Sequence, residues 1–273
     1  TLASSHSPYT NTSGKGYVSW NWKESASAGF DIVTYEGDSD TEDDTQDISH
    51  SLGVAPEMII VKARDGRAYN DYYAEDNWYV WHKHLTSGHS INLNYNVGEV
   101  DYSSYGTEPI SSVGSSTFTV CNSVDYDNYY YDFLNWGDPN NYYTGNNERY
   151  VAYLFSGVEG FSKFGTYEGN NSTDGPFIYC GFRPSWIMTK RIDGTSSWAI
   201  VDTARDPHND TDKTLASELS LAESSFSSSA DFDILSNGFK IRHNTSNGYS
   251  NAADTHIFAA FSSSSPFKYA NAR

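Results

Sequence analysis

A ten-residue segment occurs twice in this chain, first as Gly53-Val54-Ala55-Pro56-Glu57-Met58-Ile59-Ile60-Val61-Lys62 and again as Gly181-Phe182-Arg183-Pro184-Ser185-Trp186-Ile187-Met188-Thr189-Lys190. Each copy opens on residues that favour a turn and continues as an apolar run of strand length. Each copy is also followed by Asp-Gly, at 65–66 and 193–194, a pair typical of the tight turn between antiparallel strands. The pattern predicts a β-hairpin that the chain uses twice.

Other short segments repeat around this hairpin in the same order. The matched pairs are Thr34–Gly37 with Thr166–Gly169, Trp78–Trp81 with Trp198–Val201, Thr117–Val120 with Gly238–Ile241, and Tyr150–Phe155 with His256–Phe261. The number of residues between matched segments decreases along the chain, so the first copy carries the longer insertions. We therefore predict two tandem homologous β-sandwich modules of jelly-roll-like form, residues 29–159 and 160–273, which pack rigidly because few residues separate them.

Residues 1–28 are predicted to form an arm that precedes the two modules. Gly16–Trp22 resembles Arg149–Phe155, the last predicted strand of the first module, and each is followed shortly by Gly-Phe. The arm is therefore expected to carry a strand like the end of an upstream repeat. On the same ground, the gene product is expected to extend upstream.

The composition of the 273 residues supports an all-β fold. The chain holds 22 Tyr, 14 Phe and 7 Trp, which together make 16% of it, and only 19% is charged. Aromatic residues favour strands, whereas the residues that build long helices are scarce here. The net charge is −18, with no dense basic stretch and no long apolar run, so neither nucleic acid nor membrane insertion is expected.

The two cysteines, Cys121 and Cys180, show neither a Cys-x-x-Cys nor a Cys/His metal spacing. The interpretation that we favour is two buried free thiols, and a disulfide is the alternative.

An acidic segment over residues 38–47 is the first candidate site. Calcium prefers six to eight oxygen ligands, and four carboxylates are candidates to supply them: Asp38, Asp40, Asp43 and Asp44. The segment lacks the Gly and Glu of an EF-hand loop, and the matching residues 170–174 of the second copy are nearly uncharged. A solvated acidic loop is the alternative that we favour, and no other cofactor is expected.

A tyrosine-rich insertion of the first copy is the second candidate site. Aromatic rings stack on the apolar faces of sugars, while Asn and Asp bond to hydroxyl groups. The candidate ligand-binding residues are Tyr126, Tyr129, Tyr130, Tyr131, Trp136, Tyr142 and Tyr143. The alternative, about equally supported, is that these rings pack against a neighbouring subunit.

Catalysis finds little support in the residues. The chain has no Gly-x-Ser-x-Gly, no His-Glu-x-x-His and no phosphate-binding loop. His82 and His84 share one face of a predicted strand and could hold a metal, although an ordinary strand with an exposed face is the favoured reading. With 35 acidic residues, spacing singles out no pair of carboxylates for a glycosidase. We expect a protein that is not an enzyme.

Several of these segments resemble one known family, the repeated C-terminal modules of virion structural proteins of tailed bacteriophages, many from marine and cyanobacterial phages. The segments that carry the resemblance are His50–Lys62, Tyr150–Phe155, Glu159–Gly165, Trp198–Arg205 and the ending Pro266–Arg273. The resemblance covers nearly the whole chain from Gly16 onward. The longer Tyr- and Asp-rich insertions of the first copy depart from the usual pattern.

What the resemblance implies is a non-enzymatic β-sandwich protein on the virion surface, in a tail fibre or a capsid-attached fibre. Its expected partners are further copies of itself, for instance in a trimer, other virion proteins, and a host surface glycan or protein. Two alternatives stay open at this point: a purely structural decoration or filament-forming protein without a receptor, and a secreted glycan-binding adhesin.

Overall fold

The computed structural model describes residues 13–39, 44–64, 77–102, 108–125, 130–135, 137, 147–223, 231–243 and 249–263, with backbone only for 123–125 and 130–133. Within these ranges the chain is all-β, as predicted, and its one helix is a single 3-10 turn, Ala26–Ala28. No helix in the described ranges is long and apolar enough to cross a membrane.

In the first half of the chain the described residues contain ten strands, which form two antiparallel sheets. Sheet I has the order β1-β10-β3-β4-β5-β6, and sheet II has the order β2-β8-β7 with β9 paired to β8. The strands are β1 Phe30–Glu36, β2 Thr45–Ser49, β3 Met58–Ala63, β4 Trp78–His82, β5 His89–Asn92, β6 Val100–Asp101, β7 Ile110–Ser111, β8 Thr117–Asp125, β9 Tyr130–Phe133 and β10 Arg149–Phe155.

The described part of the second half contains seven strands, which form two further antiparallel sheets. Sheet III has the order β11-β17-β13-β14, and sheet IV has the order β12-β16-β15. The strands are β11 Ser162–Glu168, β12 Phe177–Tyr179, β13 Trp186–Arg191, β14 Ala199–Asp202, β15 Phe232–Leu235, β16 Gly238–Ile241 and β17 Thr255–Phe261.

The strand orders of the two halves correspond element by element. Sheet I runs β1-β10-β3-β4 where sheet III runs β11-β17-β13-β14, and β2-β8-β7 of sheet II corresponds to β12-β16-β15 of sheet IV. The register agrees as well, because Phe155 pairs with Met58 and Phe261 pairs with Trp186 at matched positions of the repeat. A duplicated unit would have this arrangement, while the homology of the modules and their bounds stay predictions.

Alternating side chains of the central strands are buried on both faces. On β3, Ile59 and Val61 contact a core shared with sheet II, whereas Met58 and Ile60 contact a second core on the opposite face. Strand β17 likewise divides its residues between a core shared with sheet IV and this same second core. The sheets therefore stack in the order II, I, III, IV, which is why β3 and β17 read as nearly continuous apolar runs.

We call the contact between sheets I and III the joint, and polar contacts beside it hold the two sheets together. The Trp198 indole Nε1–H donates to the carbonyl of Asn92 at 3.0 Å, and the Lys190 ammonium donates to the carbonyl of Asn96 at 3.3 Å. The amide of Glu99 donates to the carbonyl of Ile192 at 2.7 Å. These bonds oppose any swinging of one half against the other.

The two thiols are free and buried, which confirms the favoured interpretation of Cys121 and Cys180. Cys121 lies fully buried on β8 of sheet II, and Cys180 belongs to the core between sheets III and IV. Burial raises the pKa of the Cys180 thiol to about 12, so that group stays protonated at neutral pH.

Candidate functional site

The predicted binding residues lie largely outside the described part of the chain. Tyr126, Tyr129, Trp136, Tyr142 and Tyr143 are outside it altogether. Tyr130 and Tyr131 belong to β9 by their backbone, and their side chains are outside the description. Ligand binding by these rings therefore stays a prediction.

The acidic segment is described in part. Asp40 and Asp43 lie outside the described residues, while Asp38 and Asp44 lie within them. Asp44 Oδ1 accepts the amide N–H of Thr45 at 2.9 Å. Among the described residues, no group of three or more His, Cys, Asp and Glu side chains is placed to hold a metal ion. Calcium binding by the whole segment stays a prediction.

Two buried asparagines fasten the bases of both candidate segments to each other. Asn122 Oδ1 accepts the amide N–H of Asn135 at 2.9 Å, and Asn122 Nδ2 donates to the carbonyl of Ser39 at 3.2 Å. Asn135 Nδ2 donates to Asp38 Oδ1 at 2.9 Å, and Asn135 Oδ1 accepts the amide of Asp38 at 3.0 Å. Hydrogen bonds thus hold residues 38–39 against residues 134–135 and Asn122. We call this arrangement the loop base.

Close backbone contacts complete the loop base. The amide of Gly137 donates to the carbonyl of Ser39 at 2.8 Å, and the amide of Ser39 donates to the carbonyl of Asn135 at 3.3 Å. A Cβ on Gly137 would lie 2.7 Å from the carbonyl oxygen of Gly37, so only glycine allows this approach. Ser39 of the acidic segment and Gly137 of the tyrosine-rich insertion consequently lie side by side.

Two stacked tyrosines support the loop base from sheet I. The rings of Tyr35 and Tyr150 lie 4.9 Å apart and nearly parallel. The Tyr35 hydroxyl donates to the carbonyl of Leu134 at 2.8 Å, and Leu134 directly precedes Asn135. Burial, helped by the nearby Tyr150 and Glu148, raises the pKa of Tyr35 well above its usual value. The phenol therefore stays protonated and remains a donor.

A second site lies at the joint, where a cavity of about 600 Å³ separates sheets I and III. Its walls are formed by Ile60, Tyr153 and Phe155 of sheet I and by Met188, Ala259 and Phe261 of sheet III. Residues 18–22 of the arm and residues 215–217 also line it. Sequence reasoning missed this cavity, because it arises only when the outer faces of the two sheets meet.

The arm covers the joint through two tryptophans. The Trp22 ring contacts Trp186 and Phe261 of sheet III, each with ring centroids 5.5 Å away, and Phe155 of sheet I at 6.1 Å. Within the described residues of the arm, 13–28, no strand is present, whereas one was predicted over Gly16–Trp22. The aromatic residues that favoured a strand are used in ring contacts with both sheets.

Trp20 is held by an ion pair of the second half. Its indole Nε1–H donates to Asp202 Oδ2 at 3.1 Å, and the Arg205 Nε donates to the same oxygen at 2.6 Å. The Arg205 guanidinium also lies 5.9 Å from the centroid of the Trp20 ring. Burial by itself would raise the pKa of Asp202, but the bonds from Arg205 and Trp20 outweigh it and lower that pKa.

His82 and His84 do not form the arrangement that the sequence predicted. Strand β4 ends at His82, whose side chain is buried, and His84 follows in an exposed turn. The two ring centroids are 5.6 Å apart. The expected exposed strand face is therefore wrong at His82, because sheet III covers that face of β4.

Comparison with known proteins places the chain in one family. Residues 1–265 match the family model described as a domain of unknown function (DUF7483), and the chain belongs to this family. No curated protein matches the chain, and no solved structure matches it.

Proposed function

We propose that this member of the DUF7483 family is a non-enzymatic structural protein of a tailed-phage virion, in a tail fibre or a capsid-attached fibre. It serves assembly of the particle and attachment to the host surface. Its partners are further copies of itself, other virion proteins, and a host surface glycan or protein. The first oligomeric state to test is a homotrimer. The proposed location of the protein is the surface of the virion.

The observation that carries this proposal is the loop base. Asn122 and Asn135 are both fully buried, yet their side chains serve chiefly to tie the start of the acidic segment to the insertion that holds the tyrosines. Buried amides are costly unless their hydrogen bonds are made, so such a pair fixes its surroundings. Surface segments positioned by a rigid scaffold are where binding residues most often lie.

The segments that resemble the phage family serve the framework, whereas the insertion departs from that family. This contrast also supports a role in attachment to the host surface. Trp198 and Asp202 belong to segments that resemble the phage family, and both work in the framework: Trp198 at the joint and Asp202 in holding the arm. The tyrosine-rich insertion departs from that family and begins at the loop base. A departure in such a segment fits a binding surface that changes with the ligand.

Two experiments test the proposal, and the first asks where the chain is found. Particles of the virus that encodes it are purified and labelled with gold-conjugated antibody against the chain. Labelling at fibres is the expected result. Unlabelled particles, or a chain secreted free of particles, would contradict the proposal and favour the secreted adhesin.

The second experiment asks what the insertion does. The triple variant Tyr129→Ala, Tyr130→Ala, Trp136→Ala is compared with a matched control, Tyr17→Ala with Tyr179→Ala, whose rings are 51% and 56% exposed elsewhere on the surface. Binding of the labelled protein to host cells and to a glycan array is measured beside its oligomeric state. We expect the triple variant alone to lose binding while it still assembles. Lost assembly with unchanged cell binding would favour the purely structural role.

A further inference from the structure

We propose that the cavity at the joint binds one small neutral molecule of hydrocarbon character. The cavity is distinct from the loop base, because it lies on the opposite face of sheet I. Its volume of about 600 Å³ lies inside the range of roughly 300–1,000 Å³ that is usual for small-molecule sites. Sites of this kind occur preferentially between domains or stacked elements, as here between sheets I and III.

The chemistry of the lining selects an uncharged ligand. Within the described ranges, none of the residues that line the cavity is Asp, Glu, Lys, Arg or His. The chain as a whole carries a net charge of −18, so an apolar interior without any charge stands out against its acidic surroundings. A charged head group that entered the cavity would lose its hydration without gaining a partner in the protein, which is costly. The transfer of a hydrocarbon from water into the cavity is favourable.

Two polar side chains at the cavity wall already have partners inside the protein, whereas the buried Trp186 indole N–H has no acceptor among the described residues. The Ser217 hydroxyl donates to the carbonyl of Leu93 at 2.6 Å, and the Trp20 indole N–H donates to Asp202. Neither donor requires a ligand acceptor. Binding would therefore rest on apolar contact with rings and branched side chains such as Phe155, Trp186 and Ile60.

The rim of the cavity exposes apolar surface that would suit passage of such a ligand. Val18 and Ile32, which both line the cavity, are each 38% exposed. The half-buried ring of Trp22 stands between the two sheets. Since the arm is held by side-chain contacts and lacks strand pairing over residues 13–24, it can move aside at lower cost than either sheet.

Small residues in two walls allow the cavity to be filled. Ala259 lies on β17 of sheet III, and Ala216 lies in the segment that closes another side. Phenylalanine at either position would project a ring into the space. Val54→Phe is the matched control, because Val54 is 52% exposed and lies outside the lining.

The test uses N-phenyl-1-naphthylamine, a neutral dye that fluoresces in apolar surroundings. Titration into the full chain is followed by dye emission and by energy transfer from tryptophan, with 1-decanol as competitor. We expect saturable binding of one dye per chain, displacement by 1-decanol, and at least a tenfold weaker affinity for Ala259→Phe and for Ala216→Phe. The Val54→Phe control should bind as the natural chain does. Thermal melts identify any variant that fails to fold, and the two filling variants act independently.

Four results would overturn the proposal. The first is no saturable binding to the natural chain, and the second is unchanged affinity in both folded filling variants. The third is binding that appears only after removal of residues 264–273, since the chain's own end would then be the occupant. The fourth is binding that vanishes as the protein associates at higher concentration, which would make a second copy the occupant.

Discussion

The buried imidazole of His82 makes the stability of the protein depend on pH. The side chain is 1% exposed and lies at the end of β4, with its ring 6.4 Å from that of Phe164 across the joint. Burial, with smaller contributions from His84 and Lys83, lowers the pKa of His82 to about 3. The folded chain therefore keeps this ring neutral at pH values where an unfolded histidine takes up a proton.

The size of the effect follows from the difference in bound protons. Unfolded histidine has a pKa near 6.5, so the unfolded state gains a proton as the pH falls through 6.5 and the folded state does not until about pH 3. The free energy of unfolding then falls by about 1.4 kcal/mol per pH unit, or about 2 kcal/mol between pH 6.5 and 5.0. Well above pH 6.5 neither state binds the proton, and the full stability is present.

Urea unfolding followed by tryptophan fluorescence measures this dependence between pH 5.0 and 7.5. Replacing the ring by a side chain that is neutral throughout, His82→Gln, should remove about 1.4 kcal/mol per pH unit from the slope of stability against pH below 6.5. The comparison variant His84→Gln changes an exposed ring whose pKa burial also lowers, so it should reduce the slope, but by less than His82→Gln does. Equal slopes for the natural chain and His82→Gln would refute the reasoning, as would a folded-state titration of His82 near pH 6 by NMR.

Three further outcomes follow from the geometry. Asn135→Ala removes both side-chain bonds to Asp38 in a buried setting and should lower the free energy of unfolding by about 1–3 kcal/mol, as measured in urea. Trp20→Phe keeps an aromatic ring but loses the bond to Asp202, so a loss of about 1.5–3 kcal/mol is expected, and an unchanged melt would show that the bond contributes nothing. EDTA should leave the melting temperature unchanged, because the acidic segment is expected to be a solvated loop; a lower value would support calcium binding at Asp38, Asp40, Asp43 and Asp44.

The strands themselves were predictable from the sequence, because their cause is local. Segment Met58–Lys62 was predicted as a strand and forms β3, and Tyr150–Phe155 was predicted and lies in β10. In both segments the run of apolar residues and the bounding turn residues act within a few positions. The buried state of Cys121 and Cys180 followed from composition and spacing alone.

The stacking of the sheets depends on contacts between residues that are distant in the sequence. Local sequence patterns did not predict it. The loop base pairs Asp38 with Asn135, which are 97 positions apart, and no local pattern marks Asn135 as buried or Asp38 as its partner. One signal for the joint was available: β3 is apolar at Met58 and Ile60 as well as at Ile59 and Val61, and a strand apolar on both faces needs cover on both.

The strand expected over Gly16–Trp22 was wrong for a related reason. Aromatic residues at alternate positions suit a sheet, but they equally suit a groove between two sheets that are already complete. Trp20 and Trp22 find their partners in the second half of the chain, Asp202 for one and Phe261 for the other. The strand propensity of the aromatic residues correctly indicated that these side chains are packed, but it did not give the conformation of the backbone.

The contact between Trp22 and Phe261 brings the beginning and the end of the described chain together, with ring centroids 5.5 Å apart. A pulling force applied through these two ends would meet this small aromatic contact first. The arm would detach before either sandwich core bore load, while the seventeen strands of the described residues stayed paired. A fibre built from such units would yield a little under tension and recover when the arm settles back.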